Sequence, residues 1–217
     1  MIEELLKTDF VEYLNKKQSG HLPPWTKTPV VPEEVITDKI FDITDLQGGT
    51  GSIKCPVGKG EATYHNEGSY IPCFIKYDDF LSQFRSYDSS GRIIKDWAEG
   101  IKRADYLVYD QSEEKKFFII HELSKGNKRN KRSKGIKQLI DTVLTLWNQT
   151  GIKTHIENTF NNLLCYLSTK RSIESTPLSM ADGFLDIYKQ IPGTIAITNS
   201  EFESKGFRAF ETNLVEL

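Results

Sequence analysis

The sequence predicts one α/β domain: a mixed central β-sheet flanked by helices. Three observations carry this expectation. Residues 104–110 and 117–124 are rich in β-branched and aromatic side chains and are separated by a charged stretch, QSEEKK, so they read as two antiparallel strands and their loop. Residues 133–149 then switch to helical period, with Ile136, Leu139, Ile140, Val143, Leu144 and Trp147 at i, i+3, i+4 and i+7 spacing. The apolar run at 162–168 suits a buried strand, completing the order strand, hairpin, helix, strand.

The other elements follow in chain order. In residues 2–17, Leu5, Leu6, Phe10, Tyr13 and Leu14 share one helical stripe, leaving Glu3, Glu4, Lys7 and Lys16 largely outside it, which predicts an amphipathic opening helix. Pro23, Pro24, Pro29 and Pro32 around Trp25 exclude regular helix over 21–32 and predict an extended connection lying over the body. Irregular antiparallel structure is expected at 35–43, 51–55 and 70–76, broken by glycine turns at Gly48-Gly49 and 58–60. A short helix through Phe80, Leu81 and Phe84 is expected over 77–87, then turn chemistry at Ser89-Ser90-Gly91 before Trp97. Beyond residue 168, a helix is expected at 180–190 and a strand at 193–198. Residues 1–100 thus read as a helical and β elaboration, 101–200 as the core, and 201–217 as a C-terminal segment of the same domain.

At 217 residues, 38% hydrophobic and 27% charged, the chain can bury one core. No apolar run has the length of a membrane span, and the acidic opening MIEELLKTDF is unlike a secretory leader. Cys55, Cys73 and Cys165 lack CxxC spacing, so they are expected to be small buried thiols in a reducing cytoplasm. A net charge of −2 argues against a protein that coats nucleic acid with its whole surface. The charge is uneven, however. Lys125, Lys128, Arg129, Lys131, Arg132, Lys134 and Lys137 form a basic run without an acid.

VGKGEA at 57–62 lacks the remaining glycine and the Lys-Ser/Thr pair of a phosphate loop, so it reads as a turn. No local motif supports a Ser-His-Asp or Cys-His arrangement. The acids are more informative. If the 104–124 hairpin closes symmetrically, with Asp110 facing Phe117, its register puts Asp105 opposite Glu122, beyond an apolar surface of Leu107, Ile120, Tyr109 and Phe118. Opposed, partly buried carboxylates repel and lose hydration, so they need a shared proton or a cation; a hard divalent ion, Mg²⁺ first, meets that need. Singly, Asp105 reads as a strand-start cap and Glu122 as a solvated edge residue. His121 alternates to the opposite face and reads as a packed or hydrogen-bonded histidine.

Arg103-Ala104-Asp105 at the head of one strand, Ile120-His121-Glu122-Leu123-Ser124 on the next, and a helix bearing Lys134, Lys137 and Gln138 resemble the PD-(D/E)XK nuclease core over about seventy residues. The resemblance implies a restriction-endonuclease-like fold and Mg²⁺- or Mn²⁺-dependent hydrolysis of phosphodiesters, in DNA more than RNA. It assigns Asp105 and Glu122 as metal ligands, with the carbonyl of Leu123 as a further one. An acid preceding the core often completes the family's site; Glu61 and Glu67 are the candidates, Glu61 being preferred because it follows a glycine turn. The family's lysine position is occupied by Ser124. Lys125 redirected by a bulge, or Lys134 or Lys137 reaching over from the helix, would replace it. Lys128, Arg129, Lys131, Arg132, Lys137 and Gln138 are the expected nucleic-acid contacts. A homodimer or larger assembly would suit cutting of both strands, and no membrane partner is expected. The rival readings are a non-catalytic relative that binds nucleic acid or protein within a defence or repair assembly, and a small-molecule-binding α/β protein whose acids are structural.

Overall fold

The computed structural model describes residues 1–45, 51–68, 70–125, 129–170 and 194–217. The helix expected at 180–190, the Gly48-Gly49 turn and Lys128 lie outside the described residues, as do the side chains of Lys125 and Arg129. The chain opens with α1 (Ile2–Lys7) and α2 (Asp9–Lys17), then β1 (Glu33–Val35), β2 (Ile40–Ile43), β3 (Lys54–Cys55), β4 (Ala62–His65), β5 (Pro72–Lys76) and α3 (Tyr77–Ser82). A small hairpin of β6 (Arg85–Tyr87) and β7 (Ile93–Asp96) precedes β8 (Tyr106–Asp110), β9 (Phe117–Lys125), α4 (Arg129–Trp147), α5 (Thr150–Thr159) and β10 (Asn162–Lys170). The end of the chain supplies β11 (Ile195–Ala196), α6 (Ser200–Glu203), β12 (Phe207–Glu211) and β13 (Leu214–Glu216).

The central sheet is mixed and seven-stranded among the described residues, in the order β1-β5-β8-β9-β10-β12-β11. The pairs β1/β5, β5/β8, β8/β9 and β11/β12 are antiparallel, whereas β9/β10 and β10/β12 are parallel. Parallel neighbours need a long crossover, and α4 with α5 provides it between β9 and β10. Both faces are covered, which explains why β8 and β9 read as near-continuous apolar runs rather than as alternating ones. On one face, Leu107, Tyr109, Phe118, Ile120, Cys165 and Leu167 pack under the helices through Leu6, Phe10, Phe80, Leu139, Val143 and Ile156. On the other, Val108, Ile119, Leu123, Leu164 and Tyr166 meet Phe41, Ile43, Tyr64 and Val215 of a four-stranded sheet ordered β13-β4-β2-β3. Burial of each such side chain contributes roughly 1.5–3 kcal/mol, so the two-faced strands anchor the molecule.

Several local expectations change. The opening helix divides at Thr8, whose φ of −109° and ψ of −75° depart from helical values although its N–H and its hydroxyl both donate to the carbonyl of Glu4. The 35–43 stretch divides between β1 and β2, which belong to different sheets, because the chain crosses from one layer to the other there. The helix expected over 77–87 ends at Ser82, and Arg85–Tyr87 pairs with a strand where only turn chemistry was expected. On α4 the buried stripe runs through Leu139, Val143 and Leu146, leaving Leu144 half-buried. Helix α5 had no counterpart in the sequence reading. The proline-rich crossing does lie on the body: Asn15 bonds both main-chain groups of Trp25, and Trp97 packs on Trp25 and donates to the carbonyl of Pro23. The glycine-rich 58–60 segment is a turn, with Gly58 at φ +85° and the N–H of Gly60 bonded to Asp42. Among the thiols, Cys73 and Cys165 are buried while Cys55 is half-exposed, and none forms a disulfide.

Candidate active site

The hairpin register is the expected one. Tyr106 pairs with His121, Leu107 with Ile120, Val108 with Ile119 and Tyr109 with Phe118, so the next step of the ladder brings Asp105 to Glu122. Asp105 lies one residue before β8, where three contacts hold it. Its carbonyl accepts the N–H of Tyr77 at 2.9 Å, its Oδ2 accepts the N–H of Leu123 at 2.6 Å, and the preceding residues are clasped by α4. In that clasp, Gln138 donates to the carbonyl of Arg103 at 2.8 Å, and the hydroxyl of Thr142 accepts the N–H of Ala104 at 2.9 Å while donating to the carbonyl of Gln138. Gln138, expected among the nucleic-acid contacts, therefore spends its amide on positioning the strand that carries Asp105.

Glu122 is 6% exposed, and its Oε2 is buried with no hydrogen-bond partner among the described residues. Helix α4 passes close above it because residue 135 is glycine: a Cβ there would lie 2.6 Å from Leu167 Cδ1 and 3.4 Å from Glu122 Cγ. Burial, and next the charge of Asp105, push the Glu122 carboxyl well above its ordinary value, with Lys134 opposing. Burial likewise raises Asp105, against the Leu123 hydrogen bond.

Three further acids come to the same end of the sheets. Glu61, buried before β4, accepts the N–H of Asp45 at 3.1 Å, and Asp45, Asp78 and Glu61 all act electrostatically on Asp105. Asp78, in the first turn of α3, forms an ion pair with Arg103. Glu67 is exposed past the opposite end of β4, away from this group. Asp45 and Asp78 were not singled out from the sequence; the available signal was that each lies two residues past the end of an expected strand.

The lysines are distributed unevenly. Lys134 is exposed on α4 and its charge reaches Glu122. Lys137 stands against Lys102, and that contact first, then burial, holds the Lys102 ammonium below its ordinary value. Ser124 occupies the motif position, buried, in register with Thr169. Arg132 is paired with Glu211 at 2.6 Å, and Lys131 is exposed. Leu123 is buried with its side chain in the core on the far face of the sheet.

His121 faces the second sheet, as alternation requires. Ser168 donates to the carbonyl of Thr212, so its oxygen receives the Nε2–H of His121 at 2.8 Å, and Nδ1 accepts the hydroxyl of Tyr64 at 2.6 Å. This assignment satisfies both ring nitrogens and the Tyr64 and Ser168 hydroxyls and leaves the ring neutral; burial pushes its pKa down to about 3. His121 links β4, β9 and β10 across the layers and belongs to the core.

The donor types suit a hard divalent cation, but among the described residues no third acid brings a ligand atom within 4.8 Å of both Asp105 and Glu122. The opposed carboxylates of Asp105 and Glu122, the latter with an orphaned buried oxygen, are hard oxygen donors, and further acids lie within electrostatic reach, Asp78 among them already paired with Arg103. Compared with models of known protein families, with curated proteins and with solved structures, the chain matches none of them.

Proposed function

We propose that the chain is a metal-dependent nuclease with a PD-(D/E)XK-type core, acting on DNA in preference to RNA. The observation that carries this reading is the orphaned oxygen of Glu122 directed to the same strand end as Asp105. The strand order supports it: an antiparallel β5-β8-β9 meander, then α4, then β10 parallel to β9, agrees with the core that the motif resembles. A reducing cytoplasm suits the three free cysteines.

Asp105 and Glu122 would hold Mg²⁺ or Mn²⁺, with Glu61 as a third acid and the Leu123 carbonyl as a main-chain ligand. The ion, when bound, supplies charge neutralisation at the phosphate and a bound water of lowered pKa. Residues of the chain do the rest. The Gln138 and Thr142 clasp and the Leu123 N–H fix the Asp105 carboxylate before substrate arrives, so little reorganisation is needed. Lys134, whose charge acts on Glu122, would orient a water there in place of the family's lysine, whose position Ser124 occupies. Lys102 and Lys137, exposed and close enough for their like charges to act on each other, would form the adjoining phosphate contact.

The test is cleavage of plasmid, linear and single-stranded DNA and of RNA with Mg²⁺ or Mn²⁺, comparing the natural chain with Asp105→Ala and Glu122→Ala. Cutting that both substitutions abolish supports the proposal. The second reading, a non-catalytic nucleic-acid-binding relative, is favoured by Ser124 at the lysine position; salt-sensitive binding without cutting in any metal would establish it instead.

A further inference from the structure

A second group of metal-ligating side chains lies away from the acids around Asp105. Glu3 on α1, Glu33 on the edge strand β1 and Cys73 on β5 each offer one ligand atom, and these atoms lie within 4.8 Å of one another. Cys73 pairs with Tyr109 across the ladder whereas Lys76 pairs with Tyr106, so the group is about three residues, roughly 10 Å, along the strand from the Asp105 end. The register explains the convergence. Glu33 pairs with Ile75 and Val35 with Cys73, so Glu33 is the diagonal neighbour of Cys73 on one face of an antiparallel pair. Helix α1 packs over that face with Ile2, Glu3 and Leu6 buried.

The arrangement is costly for a metal-free protein. Glu3 is 6% exposed, and its Oε2 is buried without a hydrogen-bond partner among the described residues. Burial, and also the charge of Glu33, push its carboxyl up. The Cys73 thiol is fully buried and donates to Oε2 of Glu33, with Sγ 3.6 Å away. Lys7, the nearest lysine in sequence, is tied to Glu4 at 2.8 Å. The charge of Lys7 reaches Glu3 and Glu33, and the N-terminal amine acts on Glu3, while the thiol donates to Glu33; the two carboxylates nonetheless repel and lose hydration where Glu3 Oε2 is left without a partner among the described residues.

We propose that Glu3, Glu33 and Cys73 form a second metal site, for a thiophilic divalent cation of the zinc class, which fastens α1 to the edge of the central sheet. Two bonds of about 2.3 Å to sulfur and 2.0 Å to oxygen, at a tetrahedral angle, place the ligand atoms about 3.5 Å apart. The observed 3.6 Å between Cys73 Sγ and Glu33 Oε2 fits without rearrangement. Glu33 is exposed, so the fourth position opens to solvent and water completes the tetrahedron. One Cys73 thiol proton leaves for each ion bound, as the thiolate is the ligand. A thiolate selects against Mg²⁺, so this site and the acids around Asp105 take different metals.

The proposal is tested by titrating the full chain with Co²⁺ in excess Mg²⁺, which occupies the hard oxygen site. One equivalent of Co²⁺ should produce thiolate-to-cobalt charge-transfer absorption in the near ultraviolet, and one equivalent of Zn²⁺ should abolish it. Cys73→Ser should lose the band and Cys55→Ser should keep it. Glu33→Gln, at an exposed position that leaves the fold intact, should weaken Co²⁺ binding by about tenfold or more, and Asp105→Asn should leave it unchanged. Absence of the band in the natural chain overturns the proposal, as does a band that survives Cys73→Ser or an affinity unaltered by Glu33→Gln. Those outcomes assign the three groups as acids that share protons.

Discussion

Oδ2 of Asp105 accepts the main-chain N–H of Leu123 at 2.6 Å, so the carboxylate heading β8 is tied to the backbone of β9 one residue after Glu122. The two acids therefore move as one unit, and their charges cannot separate to relieve their repulsion.

The acid pair destabilises the metal-free protein. Both carboxyls have raised values in the folded state. Their contribution is fully favourable below the ordinary carboxylate value near 4 and is lost as pH rises through the raised folded values. Glu122→Gln is expected to increase the melting temperature at pH 8 in a chelator, by about 2–4 °C for each kcal/mol recovered, and to remove stabilisation by Mg²⁺. Thermal melts with and without the ion check this; a lower melting temperature in chelator would contradict it.

His121 has the opposite sign. Its folded value is depressed to about 3 by burial, so its contribution is complete above about pH 6.5 and declines as pH falls toward the folded value, because only the unfolded chain takes up the proton. The slope approaches about 1.4 kcal/mol per pH unit. Since the acid pair acts oppositely between pH 4 and 6.5, the measurement belongs in the Glu122→Gln background. Urea denaturation there should show the acid limb, and His121→Asn should be less stable but flatter with pH.

Gly135 is required by the close passage of α4 over β9 and β10. Gly135→Ala would gain about 1 kcal/mol of helix propensity in isolation, but its Cβ meets Leu167 and Glu122. The expected net result is destabilisation by about 1–3 kcal/mol, with weaker Mg²⁺ binding as Glu122 is displaced. An increase in stability on denaturation would show that α4 shifts freely.

Lys134 and Lys137 should separate by phenotype. Lys134→Ala is expected to lower the cleavage rate with binding nearly unchanged, because its charge acts on Glu122. Lys137→Ala, which removes the partner of Lys102, should weaken DNA binding and reduce the slope of log affinity against log salt by about 1. Fluorescence anisotropy over a salt series, beside single-turnover cleavage, distinguishes them; identical effects of both substitutions would refute the division.

The register that opposes Asp105 and Glu122 was legible in the sequence, because a charged hairpin loop between two apolar runs permits few symmetric closures and antiparallel partners then follow by counting. The same holds for α4, whose period survives although its buried stripe is rotated onto Leu146. The central mixed sheet and its flanking helices follow from these elements and their order. Local patterns alone did not reveal the division of 35–43 between two sheets, the helix at 150–159, or the place of β12 beside β10. Nor did they reveal that Asp45 and Asp78 gather around Asp105, or that Glu3 and Glu33 meet Cys73. Hydrophobic period and hairpin arithmetic are written within a few neighbouring residues and can be read there. Contacts across layers and between distant loops arise only when the two sheets and the helices pack against one another.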